Sequence, residues 1–386
     1  MLHEARANRG LFEPNLRRLL ELFLLSGLAG LRLTCAQESP PAEPEAAPLW
    51  DQSFDFHFGF GYTDNVLLAD TTKRSTAFAA AGLDAALFRV SLHGPELSLF
   101  VSGEERRFLG NVGVDKDETW IAVGKIQRDV TSEWRIALSL QYLYQDQVFD
   151  VSATEAELLS IQLKGHGLKA TPSVAHQLAG GYQLRMEWPV TRQFLAKPLD
   201  DYWEDGPRLT LEKTYGKRST ASVSYGYAER FYDERTRVDR AGALIAGTDL
   251  RLRRQELELA DRHYWDDARN WRSETKLGFE SNTDNGSKYF GYDRARISEQ
   301  LRYTGSKWNL QAGARVSFYN YTVQMADPPS GSRRHVMTFS WTLRTEINMT
   351  KSFQGFLELA RDQNSSNRAA NEYQAVTVSS GINWGF

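Results

Sequence analysis

Apolar and polar residues alternate with a period of two along most of the chain after residue 50. The clearest runs are Phe54–Tyr62, Trp134–Tyr144, Tyr182–Val190 and Met337–Ile347. A β-strand points successive side chains to opposite faces, so each run has one apolar, aromatic face and one small, polar or charged face. Each run covers about 10 residues, the length that a tilted strand needs to cross a bilayer. The pattern predicts membrane-spanning β-strands.

The same period divides the rest of the chain into about 16 strands, and the pattern is compatible with about 14 to 18. Short polar connections occur at Asp129–Glu133, Gly216–Ser219, Thr304–Lys307 and Thr350–Ser352. Longer connections occur at Leu109–Glu118, Phe149–Glu157, Leu195–Gly206, Asp233–Gly247 and Val323–Ser332. Outer-membrane barrels alternate short periplasmic turns with longer extracellular loops. We therefore predict an all-β fold, a single closed antiparallel transmembrane β-barrel, with both chain ends on the periplasmic side.

One strand changes parity along its length. Leu250 and Leu252 lie on one parity. Leu257 and Leu259 lie on the other, and this change predicts a β-bulge near Arg254.

A charged residue falls among outward positions of a neighbouring strand. Glu299 lies between Ile297 and Leu301, both of which we assign to the lipid-facing side. Either Glu299 lies at a membrane interface, or the predicted register of this strand is wrong.

The N-terminal region has the features of an export signal. Arg17 and Arg18 precede an apolar run, Leu22–Leu31, and small residues follow it up to Ala36. The run is too short for a spanning helix, which needs roughly 20 apolar residues. We therefore predict a cleaved signal peptide over residues 1–36. The alternative is an amphipathic surface helix.

An acidic, Pro-rich segment follows at residues 37–50, and we interpret it as an extended periplasmic linker. The barrel is then expected over residues 51–386. Cys35 is the only cysteine, and Arg32, Leu33 and Thr34 before it do not fit a lipoprotein signal. After cleavage, the predicted mature chain has no disulfide framework and no thiol nucleophile.

Composition narrows the functional classes. The formal net charge is −3, whereas binding to nucleic acid calls for a basic patch or a basic domain. Mean hydropathy is −0.49, yet 12% of the residues are aromatic. Alternating barrel strands produce this combination. A secreted carbohydrate-binding β-protein would also fit it, so composition leaves both classes open.

The end of the sequence, Ser379–Phe386 (SSGINWGF), continues the alternation to its last residue. In a closed barrel the last strand must pair with the first, because an open edge in lipid leaves backbone groups unsatisfied. The segment resembles the closing pattern of bacterial outer-membrane β-barrels, polar–x–Gly–x–x–aromatic–x–aromatic. Ser379, Gly381, Trp384 and Phe386 match its four positions. The resemblance implies recognition by the barrel assembly machinery and an integral location in the outer membrane of a Gram-negative bacterium.

Two further segments resemble a narrower group. Gly59–Leu68 (GFGYTDNVLL) and Arg361–Asn367 (RDQNSSN) are similar to the β-barrel porin-2 group, which is related to barrels found with exopolysaccharide export systems. The resemblance is limited to the first strand and the last three strands. It carries no catalytic motif.

The polar parity of the predicted strands carries the candidate site, because a barrel of this size encloses an aqueous lumen. We expect the lumen to be lined by Arg272, Glu274, Arg294, Arg296, Arg302, Arg315, Arg344, Glu346 and Glu358, with Lys276 and Glu280. Arg251 and Arg253 are expected to join them. We expect Arg294, Arg296, Arg315 and Arg344 to form a basic patch that selects ions. In the alternative interpretation, the charges face water and pair across strands.

Metal binding and catalysis have little support. The tripeptide TDN occurs at Thr63–Asn65 and Thr283–Asn285, where Asp and Asn either end a strand through side-chain turns or bind calcium. The histidines after the signal are scattered, without the spacing of a zinc site. We find no arrangement of nucleophile, base and orienting group, and predict no enzyme, no metal and no cofactor.

Three functions therefore compete. The first is an outer-membrane porin-like channel, giving passive or weakly selective passage of small hydrophilic solutes through a charged, Arg-rich lumen. The alternative is the outer-membrane barrel of an exopolysaccharide or other export system, with periplasmic partners at the N-terminal linker. The third is a secreted carbohydrate-binding protein, which the Phe386 pattern disfavours. Expected partners are outer-membrane lipids and the barrel assembly machinery, and nucleic acid is excluded.

Overall fold

β-strands form nearly all of the described chain. The computed structural model describes residues 49–91, 94–150, 160–216, 218–327, 331–368 and 371–386, so the predicted signal peptide and all of the linker before residue 49 lie outside it. The strands are β1 (Leu49–Thr63), β2 (Thr76–Val90), β3 (Glu96–Phe108), β4 (Lys116–Asp129), β5 (Trp134–Asp150), β6 (Ser160–Leu178), β7 (Tyr182–Glu187), β8 (Val190–Leu195), β9 (Tyr202–Asp205), β10 (Arg208–Tyr215), β11 (Ser219–Tyr232), β12 (Arg251–Tyr264), β13 (Trp271–Asp284), β14 (Tyr292–Thr304), β15 (Trp308–Asp327), β16 (Ser332–Asn348), β17 (Phe353–Ser366) and β18 (Tyr373–Gly385). A single 3₁₀ turn, Ala179–Gly181, separates β6 from β7 within these ranges.

The sheet is antiparallel and closes on itself. β1 pairs with β2 on one side and with β18 on the other, in a continuous register from Asp55↔Gly385 to Thr63↔Thr377. We call the β1–β18 pairing the closing seam. Closure leaves no free edge, as a membrane-spanning sheet requires. The predicted closed antiparallel barrel is confirmed.

Two barrel strands are each built from two segments. β7 and β8 both pair with β6 in one register, Ser173↔Glu187 and Ala170↔Val190, and are separated only by Trp188 and Pro189. β9 and β10 both pair with β11 and are separated by Gly206 and Pro207. Proline has no N–H to give to a ladder, so each strand is interrupted there. The 18 segments of the described chain therefore make 16 barrel strands, as the sequence predicts.

The two faces of the barrel differ in polarity. On one face large apolar side chains are exposed, for example Phe60 at 71% and Ile297 at 52%. On the other face charged side chains contact partners two strands away, as Arg296 on β14 contacts Glu258 on β12. Side chains on non-adjacent strands converge only on the concave side of a closed sheet. The apolar face is therefore the outer face, and the charged face is the inner face.

Apolar packing in the described residues forms small clusters at one end of the barrel. Examples are Val66 with Val112 and Val114, and Tyr292 with Tyr321 and Val336. They lie where the longer connections leave the strands, and we call this end the loop end and the opposite end the turn end. The described residues in the middle of the barrel form no packed apolar core, because the inner face is polar there.

The predicted β-bulge at Arg254 is wrong. β12 pairs with β11 and with β13 without a register shift between residues 252 and 262. Leu250 and Leu252 are on the inner parity at the loop end, and Leu250 packs with Val238 and Phe290. The inner face is apolar there because a loop covers it, so the leucines change face without any change of register.

Arg251 and Arg253 are on the outer face, which corrects the expectation that they line the lumen. They share their parity with Leu257, and the Arg253 side chain is 61% exposed. Arg253 lies 2.9 Å from Glu229, and the Arg251 guanidinium lies 5.4 Å from the Phe231 ring centroid. Both arginines are at the loop end of β12, where an outward charge can reach water.

Glu299 is on the outer face in an unbroken register, so the predicted strand alignment holds. Its carboxylate accepts a hydrogen bond from the Thr275 hydroxyl. Four residues further along β14, the Tyr303 ring contacts the Trp271 ring in a tilted arrangement, with the centroids 4.7 Å apart, close to the turn end. An aromatic pair of this kind marks a membrane interface, and Glu299 lies just inside it.

Several predicted long loops are shorter than expected. Of the segment Val323–Ser332, β15 continues to Asp327 and β16 begins at Ser332. The β15–β16 register shifts between Asn320 and Met325, which bends the hairpin beyond the regular ladder. The segment Leu195–Gly206 likewise contains all of β9, and the segment Leu109–Glu118 contains the first residues of β4. The sequence analysis assigned these strand ends to loops because their side chains are polar.

The alternation of short and long connections predicts which end faces the cell exterior. We expect Ala241→Cys, between β11 and β12, to react with a membrane-impermeant maleimide on intact cells. Ser306→Cys, between β14 and β15, should react only after the outer membrane is opened. Both positions are exposed, so access to the reagent decides the result. Labelling of Ser306→Cys on intact cells would invert the topology.

Candidate pore lining

All nine predicted lining residues lie on the inner face. Ile297 and Leu343 on the outer face alternate with them, and the register carries that alternation across β13–β17. The nine are Arg272, Glu274, Arg294, Arg296, Arg302, Arg315, Arg344, Glu346 and Glu358. They share one wall because these five strands are neighbours in sequence and in the sheet. Their role in solute selection stays a prediction.

Three of the four arginines expected to form a basic patch are paired with glutamates. Arg294 lies 2.7 Å from Glu280. Arg296 lies 3.2 Å from Glu256 and 2.8 Å from Glu258. The wall is therefore largely charge-compensated at these positions, and the expectation of an uncompensated basic patch does not hold there.

Arg344 completes this set of ion pairs nearer the turn end. It lies 2.9 Å from Glu346 and 3.2 Å from Glu358, and its guanidinium stacks 4.2 Å from the Phe356 ring centroid. Its Nη2 also donates to the Asn383 side chain on β18, at 3.4 Å. The two glutamates flank it from its own strand and from β17, so the positive charge is held between two negative ones.

The remaining predicted arginines are different. Within the described part of the chain, Arg272, Arg302 and Arg315 have no ion-pair partner within 4.0 Å. Arg272 and Arg302 lie directly opposite each other on β13 and β14, and Arg315 lies opposite Ser298. Nearby, Glu274 is already paired with Lys276 at 2.6 Å. Arg315 interacts electrostatically with Asp362 on β17 beyond that distance, so uncompensated positive charge on this wall is concentrated at Arg272 and Arg302.

A second charged group on the inner face was missed by the sequence analysis. Glu204 on β9 lies 2.7 Å from Arg230 and 2.6 Å from Arg254. The Arg230 guanidinium also lies 4.1 Å from the Tyr202 ring centroid. β9 has only four residues before a proline break, so it shows no clear period. One signal was present in the sequence. Arg254 has the same parity as Glu256 and Glu258, which places it on the inner face of β12.

The loop end of the lumen is narrowed by a contact across the barrel. The Asn364 side-chain amide on β17 donates to the Asp150 carboxylate on β5. Five strands, β18, β1, β2, β3 and β4, separate β17 from β5 along the shorter way around the sheet. The end of β5 therefore reaches over the lumen instead of continuing along its own wall.

The wall that receives β5 is densely packed. Arg334 on β16 is only 1% exposed, and its guanidinium lies 4.5 Å from the Tyr321 ring centroid. Arg334 Nη1 donates to the Gln324 side chain at 2.8 Å. A buried guanidinium held in this way fixes the bent β15–β16 hairpin, which gives β5 a rigid surface to contact.

The two TDN segments end strands in the same way. Asn65 donates to the carbonyls of Ala69 at 2.8 Å and Gln374 at 2.9 Å. Asn285 donates to the Asp249 carbonyl at 3.0 Å and accepts from the Arg251 amide at 3.0 Å. The asparagines therefore hold loops onto neighbouring strands. Among the described residues no group of three or more His, Cys, Asp or Glu is arranged to hold a metal ion.

The C-terminal residues form part of the closing seam. The Phe386 amide donates to the Phe54 carbonyl at 3.0 Å, and the Phe54 amide donates to the Phe386 carbonyl at 3.2 Å. Their rings stack at 5.5 Å. A Cβ added to Gly381 would lie 2.0 Å from the Phe58 carbonyl oxygen, so only glycine fits this rung. Trp384 packs on the Phe56 ring at 5.9 Å.

Within the described residues, no helix is both long and apolar enough to cross a membrane. No known protein-family model and no curated protein sequence matches the chain. Solved structures do resemble it. Acinetobacter baumannii OccAB4 aligns with a TM-score of 0.50 and 10% identity over 89% of this chain and 100% of that one.

Two further structures give lower scores. Acinetobacter baumannii OccAB1 has a TM-score of 0.48 and 9% identity, covering 87% of this chain and 97% of that one. A BenF-like porin from Pseudomonas fluorescens Pf-5 has a TM-score of 0.45 and 9% identity, covering 87% and 98%. Similarity at this level of identity bears on the fold alone, which is that of an outer-membrane β-barrel.

Proposed function

We propose that this barrel is an outer-membrane channel for the passive or weakly selective passage of small hydrophilic solutes. The observation that supports it most is the contrast between the two faces. The outer face is apolar, whereas the inner face carries a network of arginines and carboxylates such as Arg296 with Glu256 and Glu258. Barrels of 16 to 18 strands leave an aqueous channel, and charged side chains there face water.

The rest of the proposal concerns location and assembly. Residues 1–36 direct export and are removed. Residues 37–50 form a linker in the periplasm that leads into the barrel, although β1 already begins at Leu49. The barrel assembly machinery recognises the signal made by Ser379, Gly381, Trp384 and Phe386. Outer-membrane lipids surround the apolar face. We propose no enzymatic activity and no cofactor.

Single-channel recording tests the proposal. The refolded protein in a planar bilayer is expected to give discrete conductance steps that scale with salt concentration. A protein that folds and inserts but conducts no ions would contradict an open pore.

One observation favours a second candidate, the outer-membrane barrel of an exopolysaccharide or other export system. The contact between Asp150 and Asn364 places β5 over the loop end of the lumen. A lumen narrowed at its loop end suits a conduit that a periplasmic partner opens further, and the N-terminal linker would engage that partner. If the wild-type barrel inserts but conducts no ions, the export function becomes the better-supported candidate.

Removing the Asp150–Asn364 contact at the loop end tests whether β5 limits conductance. We expect Asp150→Ala with Asn364→Ala to raise single-channel conductance, because β5 is released from the opposite wall. Asn348→Ala is the control, since Asn348 lies at the turn end and, among the described residues, its side chain donates only to the Ser306 carbonyl. An unchanged conductance in the double variant would show that β5 does not limit ion flow.

A further inference from the structure

Two neighbouring barrel strands are interrupted at the same rung. The last regular pair between them on one side is Glu187↔Arg208, and the first on the other side is Val190↔Asp205. Pro189 and Gly206 face each other between these pairs. No backbone hydrogen bond joins Pro189 to Gly206. The hydrogen bonds to the strands on either side remain, since the Trp188 amide on one side donates to the Pro172 carbonyl of β6 at 3.1 Å. The break is therefore confined to the line between the two strands.

Proline in the interior of a sheet removes a ladder bond, and it is normally found at edges or bulges. Here two prolines occur in adjacent interior strands at one height. The break also requires a glycine, because a Cβ on Gly206 would lie 2.1 Å from the Tyr227 carbonyl oxygen. The Gly206 amide and the carbonyls of Pro189 and Gly206 have no hydrogen-bond partner among the described residues. Backbone donors and acceptors are thus left available at this rung.

The break opens a cavity of about 390 Å³ on the inner face, and we call it the wall niche. This volume falls in the range of small-molecule sites, about 300–1,000 Å³. Its lining includes Ser139, Gln141, Thr171 and Thr191 from the neighbouring strands. None of these four side chains hydrogen-bonds to another group among the described residues. Four unpartnered polar groups and the open backbone therefore face one cavity.

The charges of the wall niche cancel. Its basic residues are Lys169, Arg208 and Arg254, and its glutamates are Glu187, Glu204 and Glu256. Asp205 also borders the niche, but its parity is that of the exposed Trp203 on the outer face. Arg254 lies 2.6 Å from Glu204, and Arg208 lies 3.7 Å from Glu256. A bound ion would have to compete with these two pairs, whereas an uncharged solute would not, and Lys169 is the niche cation without an ion-pair partner within 4.0 Å among the described residues.

We propose that the wall niche binds a neutral polyhydroxylated solute, a saccharide unit of one or two rings. The proposal rests on the proposed channel function, because the solute reaches the niche from the lumen. Hydroxyl groups both donate and accept, as do the side chains of Ser139, Gln141, Thr171 and Thr191. No aromatic ring on the inner parity lines the niche, which disfavours a flat aromatic solute.

The test measures sucrose binding to the refolded full-length protein in detergent by calorimetry, independently of conduction. We expect wild type to bind sucrose and to prefer it to gluconate and to glycine betaine. Gln141→Leu with Thr171→Val should weaken sucrose binding about tenfold, because two hydrogen-bonding side chains that contact the solute are lost. Gln300→Leu with Thr342→Val is the matched control on the opposite wall, and it should leave sucrose affinity unchanged.

Each result decides between the two proposals. Absence of sucrose binding by wild type, equal losses in the two double variants, or tighter binding of gluconate would overturn the saccharide niche. If the protein binds sucrose but conducts no ions, the saccharide-niche proposal stands and the channel proposal is overturned. Thermal unfolding of both double variants checks the fold. Neither pair of residues makes a side-chain hydrogen bond to another described residue, so we expect unfolding temperatures like that of wild type.

Discussion

Deletion of Phe386, or Trp384→Ser with Phe386→Ser, is expected to deplete the protein from the outer membrane and leave it aggregated in the periplasm. Phe386 makes two backbone hydrogen bonds to Phe54 at the closing seam. Deletion of Phe386 removes both bonds and leaves the Phe54 backbone groups unpaired at this end of the seam, whereas the serine variant keeps the backbone bonds but loses the ring contacts with Phe54 and Phe56. Each unsatisfied backbone group there costs several kcal/mol. Immunoblots of separated membranes and periplasm measure the distribution.

A matched control separates the seam from aromatic content in general. Trp271→Ser with Tyr303→Ser removes a tilted aromatic pair, with centroids 4.7 Å apart, from the outer face of β13 and β14. These strands are far from the seam, so this variant should still reach the membrane. Normal membrane levels of the Phe386 deletion, or equal loss in the control, would refute a special role for the C-terminal strand.

Refolding into lipid vesicles without any assembly factor separates recognition from closure. If Phe386 acts through the hydrogen bonds and ring contact of the seam, the deletion variant also refolds poorly in vesicles. If it refolds normally there but fails in cells, its main role is recognition by the assembly machinery. Heat-modifiable gel mobility measures the folded fraction in both cases.

The second large effect concerns ion selectivity. We expect Arg272→Gln, Arg302→Gln and Arg315→Gln together to lower the preference for anions, most strongly in dilute salt. These three arginines lack ion-pair partners within 4.0 Å among the described residues, so most of their field in the lumen is not cancelled locally, although Arg315 also interacts at longer range with Asp362. Salt screens such a field over about 8–10 Å near physiological strength. Reversal potentials in a salt gradient measure the preference.

Paired arginines provide the contrast. Arg294→Gln with Glu280→Gln removes an ion pair without changing the net charge of the lumen, so we expect little change in reversal potential. Arg294→Gln alone leaves Glu280, only 4% exposed, without its counter-ion. Removing one partner of a buried pair costs about 3–5 kcal/mol, which should lower heat stability. The triple variant removes arginines that no carboxylate holds, and should unfold at nearly the wild-type temperature.

Two results would contradict this account. Identical reversal potentials for wild type and the triple variant would show that Arg272, Arg302 and Arg315 do not filter ions. A shift in the charge-neutral control as large as that in the triple variant would show that pore shape, rather than charge, sets the preference.

The period of two determined the architecture of this protein. Alternation is a consequence of covalent backbone geometry, so it can be read from neighbouring residues alone. It gave the strand number, the inner parity of Arg294 and Arg344, and the outer parity of Glu299. The extension of that alternation to Phe386 also predicted a paired last strand. Where a loop covers the inner face, as at Leu250, apolar residues no longer mark the outside, and the predicted bulge was wrong.

Only the tertiary structure decided what the inner face can do. Arg296 meets Glu258 from 38 residues away, and Asn364 meets Asp150 from 214 residues away. Such contacts arise because closing the sheet turns side chains of distant strands toward one axis, and no local pattern records which ones meet. The prolines were visible in the sequence, but their alignment at one rung depends on the register between two strands. Pairing across the barrel therefore determines which charges are cancelled, where the mouth narrows and where the wall opens.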